Sequence, residues 1–187
     1  MNILVTGGCG FIGSNLVDHL ASQGEHKITV IDSLISESSS SDYIRNDVRY
    51  WLDDIRNLND PIYKKETYDT IFHLAADARI QPSFEKPARY FSSDAMGTVQ
   101  TLEYARRCNA RFIYAGSSTA FAGEFLNPYA FAKRTGERAC EMYHKVYGMS
   151  TVIARFFNVY GPRQPIVGPW ATVIGLFEEL MKQGKPL

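Results

Sequence analysis

The sequence predicts a doubly wound α/β domain, a parallel sheet with helices on both faces. Three features predict it. Apolar runs suited to buried parallel strands alternate with amphipathic stretches along the 187 residues, as repeated strand-helix-strand units require. The first run passes straight into a glycine-rich turn, I-L-V-T-G-G-C-G-F-I-G-S from Ile3 to Ser14. The second ends on an acid, Asp32, 19 positions after Gly13.

The opening strand leads into Gly7, Gly8, Gly10 and Gly13 and then into an amphipathic helix over Phe11 to Gln23, which stops near Gly24. Gly7 permits a sharp strand-to-helix turn, Gly10 lets a pyrophosphate approach the backbone, and Gly13 lets the helix pack closely on the strand. The helix N-terminus offers free N–H groups and the positive end of its dipole to phosphates. Two registers overlap here, G-x-G-x-x-G from Gly8 and T-G-x-x-G-x-x-G from Thr6, and their setting between a strand and a helix supports a nucleotide site. Lys27 to Ile31 (K-I-T-V-I) is the second strand. Asp32 then lies about where a dinucleotide fold places the carboxylate that accepts from the adenosine ribose hydroxyls. A carboxylate there repels a 2′-phosphate, so NAD is expected over NADP.

The serine-rich piece Ser36 to Ser41 reads as a mobile surface loop near the adenosine. Asp47 to Trp51 is the third strand, followed by Asp53-Asp54-Ile55. There an acid and an apolar side chain could hold the adenine amino group and ring face, although a solvated loop explains two aspartates equally well. Thr70 to Leu74 is the fourth strand and runs into Ala75-Ala76, small residues at a carboxyl end, where ligands sit in open parallel sheets. His73 reads as a packed core histidine. Pro82 and Pro87 delay the next helix, which is expected from Ala88 to Cys108 with Phe91, Ala95, Val99 and Leu102 on one face. Arg111 to Ala115 is the fifth strand and ends in Gly116-Ser117-Ser118-Thr119. Asn127 caps a helix that opens on Pro128 and is closed by Gly148. Thr151 to Phe156 is the sixth strand. Beyond Gly161, Pro162, Pro165, Gly168 and Pro169, an amphipathic helix runs from about Ala171 to Gln183.

Composition narrows the function classes. Hydrophobic residues make up 45% of the chain, enough for a sizeable core, and the length suits about one domain. Twenty basic and twenty acidic residues cancel, so composition suggests neither nucleic acid nor a membrane surface as partner. Cys9, Cys108 and Cys140 are too widely spaced for a disulfide framework or a zinc site, and each reads as a buried filler. No metal site is expected. With no signal-like opening and no apolar run long enough to cross a bilayer, the cytoplasm is the expected location.

Tyr129 and Lys133 stand four apart on one expected helix and share a face. A phenol is a poor base at neutral pH, and a neighbouring ammonium favours its ionised form. The spacing is common by accident and usually marks a surface pair, but here it follows a strand that ends in serines.

These residues together resemble the extended short-chain dehydrogenase/reductase family, and within it the nucleotide-sugar epimerases and dehydratases. The resemblance is carried by Thr6 to Gly13, Asp32, Asp54-Ile55, H-L-A-A from His73 to Ala76, Ser117 to Thr119, Asn127-Pro128-Tyr129 with Lys133, and R-F-F-N-V-Y-G-P-R from Arg155 to Arg163. It implies a Rossmann-like NAD-binding domain over residues 1–162 and the start of a substrate-binding domain over 163–187, where family members continue further. It implies NAD contacts from Gly7, Gly10, Phe11, Ile12, Gly13, Asp32, Ser33, Asp54, Ile55, Leu74, Ala75, Ala76, Tyr129, Lys133 and Phe156. Ser118 would hydrogen-bond the hydroxyl of a nucleotide-diphosphate sugar, Tyr129 would remove its proton, Lys133 would bind the nicotinamide ribose, and Asn158 would meet the substrate diphosphate. NAD would take the hydride from the sugar's fourth carbon and return it to the other face, as in a UDP-glucose 4-epimerase. Dehydratases and decarboxylases of the family carry an acid within two positions of the catalytic Ser/Thr. Thr119 and Ala120 stand there, which favours the epimerase reading over both. A non-catalytic NAD-binding module is the rival from another class. Asp94 stands where the family pattern usually has Asn. The resemblance also implies a homodimer through a four-helix bundle, built from the helices Ala88 to Cys108 and Asn127 to Gly148.

Overall fold

The computed structural model, described for residues 1–36, 39–166 and 171–186, is organised by six strands: β1 Asn2–Thr6, β2 Lys27–Ile31, β3 Arg49–Trp51, β4 Thr70–His73, β5 Arg111–Ser117 and β6 Thr151–Phe156. All pair in parallel in the order β3-β2-β1-β4-β5-β6. Consecutive strands step outward in one direction from β1 and, after a crossover, in the other from β4. Between β1 and β4 the loops at the carboxyl edge therefore diverge and leave a crevice. The register puts Thr6 beside both Ile31 and His73, so β1, β2 and β4 all end at that edge.

Side chains along a strand alternate between faces, and the two cores follow from that. Ile3 and Val5 pack with Ile28, Val30, Val17 and Leu20, beneath α1 (Phe11–Ser22). Leu4 and Ile31 face the other way, toward Leu102 and Tyr104 of α4 (Gly97–Cys108) and Cys140 and Tyr143 of α6 (Pro128–Tyr147). Helices thus cover both faces of the sheet, as a buried parallel sheet requires. Local chemistry places the helix ends. Asn127 Oδ1 accepts the Ala130 N–H at 2.8 Å, Pro128 opens α6, and Gly148 closes it in the left-handed region at φ 67°. The last helix, α7 (Val173–Lys182), is capped by Thr172, whose hydroxyl accepts the Gly175 N–H at 3.0 Å.

Several elements differ from expectation. β5 continues two residues beyond Ala115, because β6 pairs with it as far as Ser117. Proline at N1 or N2 opens α2 (Gln81–Glu85) and α3 (Pro87–Tyr90), where a loop leading to Ala88 was expected. The long helix is also not uniform: Phe91–Met96 is one π-helical turn. Such a turn takes in an extra residue, so positions before Gly97 are rotated relative to those after it. That splits the expected apolar face, leaving Phe91 41% exposed while Ala95 and Leu102 are buried. Glu37 and Ser38 of the serine loop, and Gly168 and Pro169, lie outside the described residues.

Candidate active site

A cleft of about 1060 Å3 lies along the carboxyl edge of the sheet. On its β1 side the chain turns at Gly7, at φ 71°, with its backbone so close to β4's end that a Cβ would sit 2.7 Å from the Ala75 nitrogen. A Cβ on Gly13 would collide with the Gly7 carbonyl oxygen. Both positions therefore demand glycine, and the result is that the first turn of α1, with Phe11, Ile12 and Gly13, faces the cleft. Asp32 is nearly buried at the end of β2, where Oδ2 accepts the Cys9 N–H and Oδ1 the Leu34 N–H, each at 2.9 Å. Its carboxylate fixes the glycine turn against the following loop as well as lining the cleft.

The opposite wall comes from β5, β6 and α6. The two serines at the end of β5 differ: the Ser117 hydroxyl accepts from the Thr119 N–H at 3.2 Å and from its hydroxyl at 3.0 Å, whereas Ser118 is half-buried on the cleft. Tyr129 and Lys133 sit one helical turn apart on α6, and both line the same cleft. Lys133 is 6% exposed, and its ammonium donates to the Ala115 carbonyl at 3.0 Å above the Tyr114 ring. Tyr129 meets the Tyr90 ring edge-on at 6.2 Å.

A buried polar chain ties these walls together. The Thr6 hydroxyl accepts the Leu74 and Ala75 N–H groups, so its own proton goes to His73 Nδ1 at 2.9 Å. His73 then carries its hydrogen on Nε2 and donates to the Thr98 hydroxyl at 3.0 Å, which in turn donates to the Asp94 carbonyl. Burial, with the Lys133 charge adding to it, holds His73 down at a pKa of about 3. The core-histidine reading agrees with this neutral, fully bonded ring. Asp94 Oδ1 accepts the Asp77 N–H at 2.8 Å and the Ser93 hydroxyl at 2.6 Å, and Asp77 is gripped by Arg89 through two bonds of 2.8 and 2.7 Å. The loop after β4 is thereby pinned to the π turn.

Every residue expected at the site borders this one cleft: Gly7, Gly10, Phe11, Ile12, Gly13, Asp32, Ser33, Asp54, Ile55, Leu74, Ala75, Ala76, Ser118, Tyr129, Lys133, Phe156 and Asn158. Asp54 is less available than its position suggests, since both its oxygens bind Arg56, at 2.9 and 2.6 Å. Sequence reasoning missed Asp77, Arg79 and Arg89, which also line the cleft. Burial pushes the Arg79 guanidinium's pKa down, while Tyr129 and Tyr90 draw it back up. The rule that ligands meet the carboxyl ends of parallel strands reaches past Ala76 to these three. Thr172, Val173 and Ile174 line the cleft too, so the C-terminal helix contributes a wall. Among the described residues no group of His, Cys, Asp or Glu is arranged to hold a metal ion, and no helix is long and apolar enough to cross a membrane.

Comparison with known proteins places this geometry. A crystal structure of a UDP-glucose 4-epimerase from Thermotoga maritima with UDP-glucose superposes with a TM-score of 0.90 at 31% identity, covering 100% of this chain and 65% of that one. A UDP-N-acetylglucosamine 4-epimerase from Methanobrevibacter ruminantium gives 0.87 at 30% identity, covering 98% and 63%. UDP-glucuronic acid decarboxylase 6 of Arabidopsis thaliana is 30% identical over 191 residues, 89% of this chain and 53% of that protein. The chain thus spans between 53% and 65% of these relatives' length. The sequence pattern of the NAD dependent epimerase/dehydratase family matches residues 3–186, and the chain belongs to that family.

Proposed function

We propose that the chain carries the cofactor half and the catalytic residues of a nucleotide-sugar 4-epimerase of the UDP-glucose/UDP-galactose type. The observation that carries this reading is the convergence of Ser118, Tyr129 and Lys133 on the same cleft as the glycine turn and Asp32. NAD, the cofactor of the family, suits that cleft. A Cβ on Gly10 would project to 3.4 Å from the Gly7 oxygen and 3.9 Å from Ser39 Oγ, so glycine keeps clear the space that a pyrophosphate needs at the start of α1. Gly7, Gly10, Phe11, Ile12 and Gly13 would hold the pyrophosphate, and Asp32 and Ser33 the adenosine ribose. Asp54 and Ile55 would flank the adenine, with Leu74, Ala75, Ala76 and Phe156 near the nicotinamide end. The Asp32 carboxylate disfavours a 2′-phosphate, so NAD should bind at least tenfold more tightly than NADP. Titration of both decides this, and equal affinities would remove Asp32 from that role.

When bound, NAD supplies a hydride acceptor that later returns the hydride. The protein's own groups manage position and proton. Ser118 hydrogen-bonds the reacting sugar hydroxyl, Tyr129 takes its proton at the phenol oxygen, and the Lys133 ammonium stabilises the negative charge that forms there. Asn158 meets the diphosphate of the substrate. The positions after Ser118 are Thr119 and Ala120, and the Thr119 hydroxyl is committed to Ser117. No carboxylate stands there to move a second proton, which supports epimerisation over dehydration or decarboxylation. Residues 1–162 form the NAD-binding unit and 163–187 begin the substrate-binding one. The assembly is a homodimer, paired through the outer faces of α4 and α6.

The test is interconversion of UDP-galactose and UDP-glucose by the purified chain, with bound NAD quantified in the same sample. Turnover that needs NAD and vanishes in Tyr129→Phe supports the reading. Tight NAD binding with no turnover makes the chain a cofactor-binding module.

A further inference from the structure

Between β6 and α7 the chain passes through Pro162-Arg163-Gln164-Pro165, a stretch that is held from both sides. On one side α1 grips it. Asn15 Nδ2 donates to the Pro162 carbonyl at 2.9 Å, and one turn further along the same face of α1 Asp18 Oδ2 accepts from Arg163 Nη2 at 2.7 Å. The Arg163 guanidinium also lies over the Tyr43 ring at 4.7 Å. Tyr43 belongs to the short turn Ser41–Tyr43 after the serine loop, and the Ser40 N–H ties that loop to the Cys9 carbonyl of the glycine turn at 3.0 Å. The Arg163 backbone is left-handed at φ 68°, a conformation that a non-glycine residue keeps only where its surroundings impose it. A part-exposed ion pair alone is too weak to do so; the carboxylate, the ring and the Asn15 bond act together.

On the other side the same stretch carries α7. Gln164 Oε1 accepts the Thr172 hydroxyl and Gln164 Nε2 donates to Glu178 Oε2, each at 2.9 Å. The Pro165 carbonyl accepts the Thr172 N–H at 2.9 Å. Gly175 lets the first turn of α7 close on this stretch, since a Cβ there would lie 3.0 Å from the Pro165 oxygen. Pro165, Thr172, Val173 and Ile174 then form a wall of the cleft.

We propose that Arg163 is a positioning residue that acts through Gln164 and Pro165, fixing the α7 wall of the cleft to α1 and so setting where that wall stands relative to the glycine turn. The proposal rests on the functional reading above, in which this wall faces the nucleotide-diphosphate sugar. The dinucleotide side has its own anchorage, because Val17 and Leu20 seat α1 in the core beneath the sheet. Loss of Arg163 therefore frees the α7 wall and leaves the glycine turn in place.

Two measurements on the full chain test this. Amide hydrogen exchange is followed in the NAD-free protein, where the Gly175 N–H is bonded to the Thr172 hydroxyl at 3.0 Å and the Leu176 N–H to the Thr172 carbonyl at 2.8 Å. Both should exchange about tenfold faster in Arg163→Met while the amides of β1 keep their protection, and Arg163→Lys, which retains a charge for Asp18, should restore part of the loss. Exchange at Gly175 and Leu176 that stays at the wild-type rate overturns the proposal. UDP-glucose is then titrated into the NAD-saturated chain. Arg163→Met should bind it about fivefold more weakly with NAD affinity within about twofold of wild type, since a displaced wall costs the ligand it faces. Equal losses for both ligands, or an unchanged affinity for UDP-glucose, overturn the positioning role. A wild type that binds NAD but no UDP-glucose defeats the functional reading instead, and the exchange rates still decide whether Arg163 holds α7. Asp18→Asn removes the counter-charge without touching the backbone at 163 and should reproduce both effects in weaker form, so the test does not hang on the folding of one variant. If Asp18→Asn shows neither effect, the proposal falls.

Discussion

Tyr129 and Lys133 lie on one helical turn and carry unequal loads. On the proposed reading the phenol oxygen would serve the proton alone, whereas the ammonium would contact both the ribose and the charge on the phenol, so that its loss would remove two functions. Tyr129→Phe should abolish sugar oxidation with NAD affinity within about twofold of wild type, and Lys133→Ala should weaken NAD binding about tenfold as well. Equilibrium NAD titration of the two variants separates them, and equal losses would detach the pair from the nicotinamide ribose. Asp94 carries a stability cost of its own. With its folded pKa raised from 3.8 to about 6, its contribution is complete below pH 4 and is lost as pH rises through 6. A rise of that size corresponds to about 3 kcal/mol. Denaturation of Asp94→Asn and wild type at pH 4.5 and pH 8 should show the variant gaining most of that in relative stability at the higher pH. A gap that does not change with pH would mean that Asp94 ionises as it does in the unfolded chain. The sequence made the place of Tyr129, Lys133 and Asp32 on one cleft legible, because helical spacing and distance from Gly13 fix where such groups fall. It could not disclose that Asp94 is sealed from water, since burial at one residue depends on what four separate elements pack over it.

Glu137 works at the scale of elements, holding α6 to the sheet. At 1% exposure on α6, it accepts from Arg155 of β6 at 2.9 and 3.0 Å and from Arg134 at 2.6 Å. Burial disfavours its charge, but the bonds to Arg155 and Arg134 outweigh that and leave its acidity stronger than usual. Its contribution to stability is then present at neutral pH and lost as pH falls through its lowered folded pKa. Glu137→Gln should cost about 2–3 kcal/mol at pH 7, because a buried charge pair is broken while its arginines remain half-exposed. The deficit should shrink toward pH 3 in thermal melts. A deficit that stays constant would assign the loss to packing. Because α6 also carries Tyr129 and Lys133, the clamp aligns that turn with the serines at the end of β5. Strands and capped helices were readable from alternation, Asn127, Pro128 and Gly148, since each is a local device. The π turn at Phe91–Met96 was not, because the sequence from Ala88 to Cys108 satisfies the ordinary helical period and the extra residue is set by how Asp94 and Thr98 bond across to the β4 loop.

For the whole molecule, the parallel sheet and a ligand site at the carboxyl ends of its strands were legible in the alternation of strands and helices, whereas the reversal of strand order between β1 and β4 comes from the structure. The association of copies is not legible, because an apolar stripe on a helix reads the same whether it covers a core or meets another chain. On α6 the structure separates a buried stripe from an exposed one. One side carries Ala132, Cys140 and Tyr143, all buried, while the other presents Phe131, Met142 and Val146, with Met142 43% and Val146 63% exposed; Ala139, expected on that outer face, instead packs against the core. Met96, 52% exposed at the last position of the π turn, and Phe91, tilted against Phe131 at 5.5 Å, add to that outer face from the neighbouring helix. A face of this kind on two adjacent helices is what an antiparallel four-helix pairing buries. Light scattering at micromolar concentration should therefore return twice the mass of the chain. Met142→Glu puts a charge in the centre of the stripe, several turns from Tyr129, and should yield monomers with NAD affinity unchanged. A wild type that stays monomeric removes the dimer, and a variant that remains dimeric moves the interface to another surface. Loss of NAD binding in the monomer would instead show that pairing across α6 holds the catalytic turn in place.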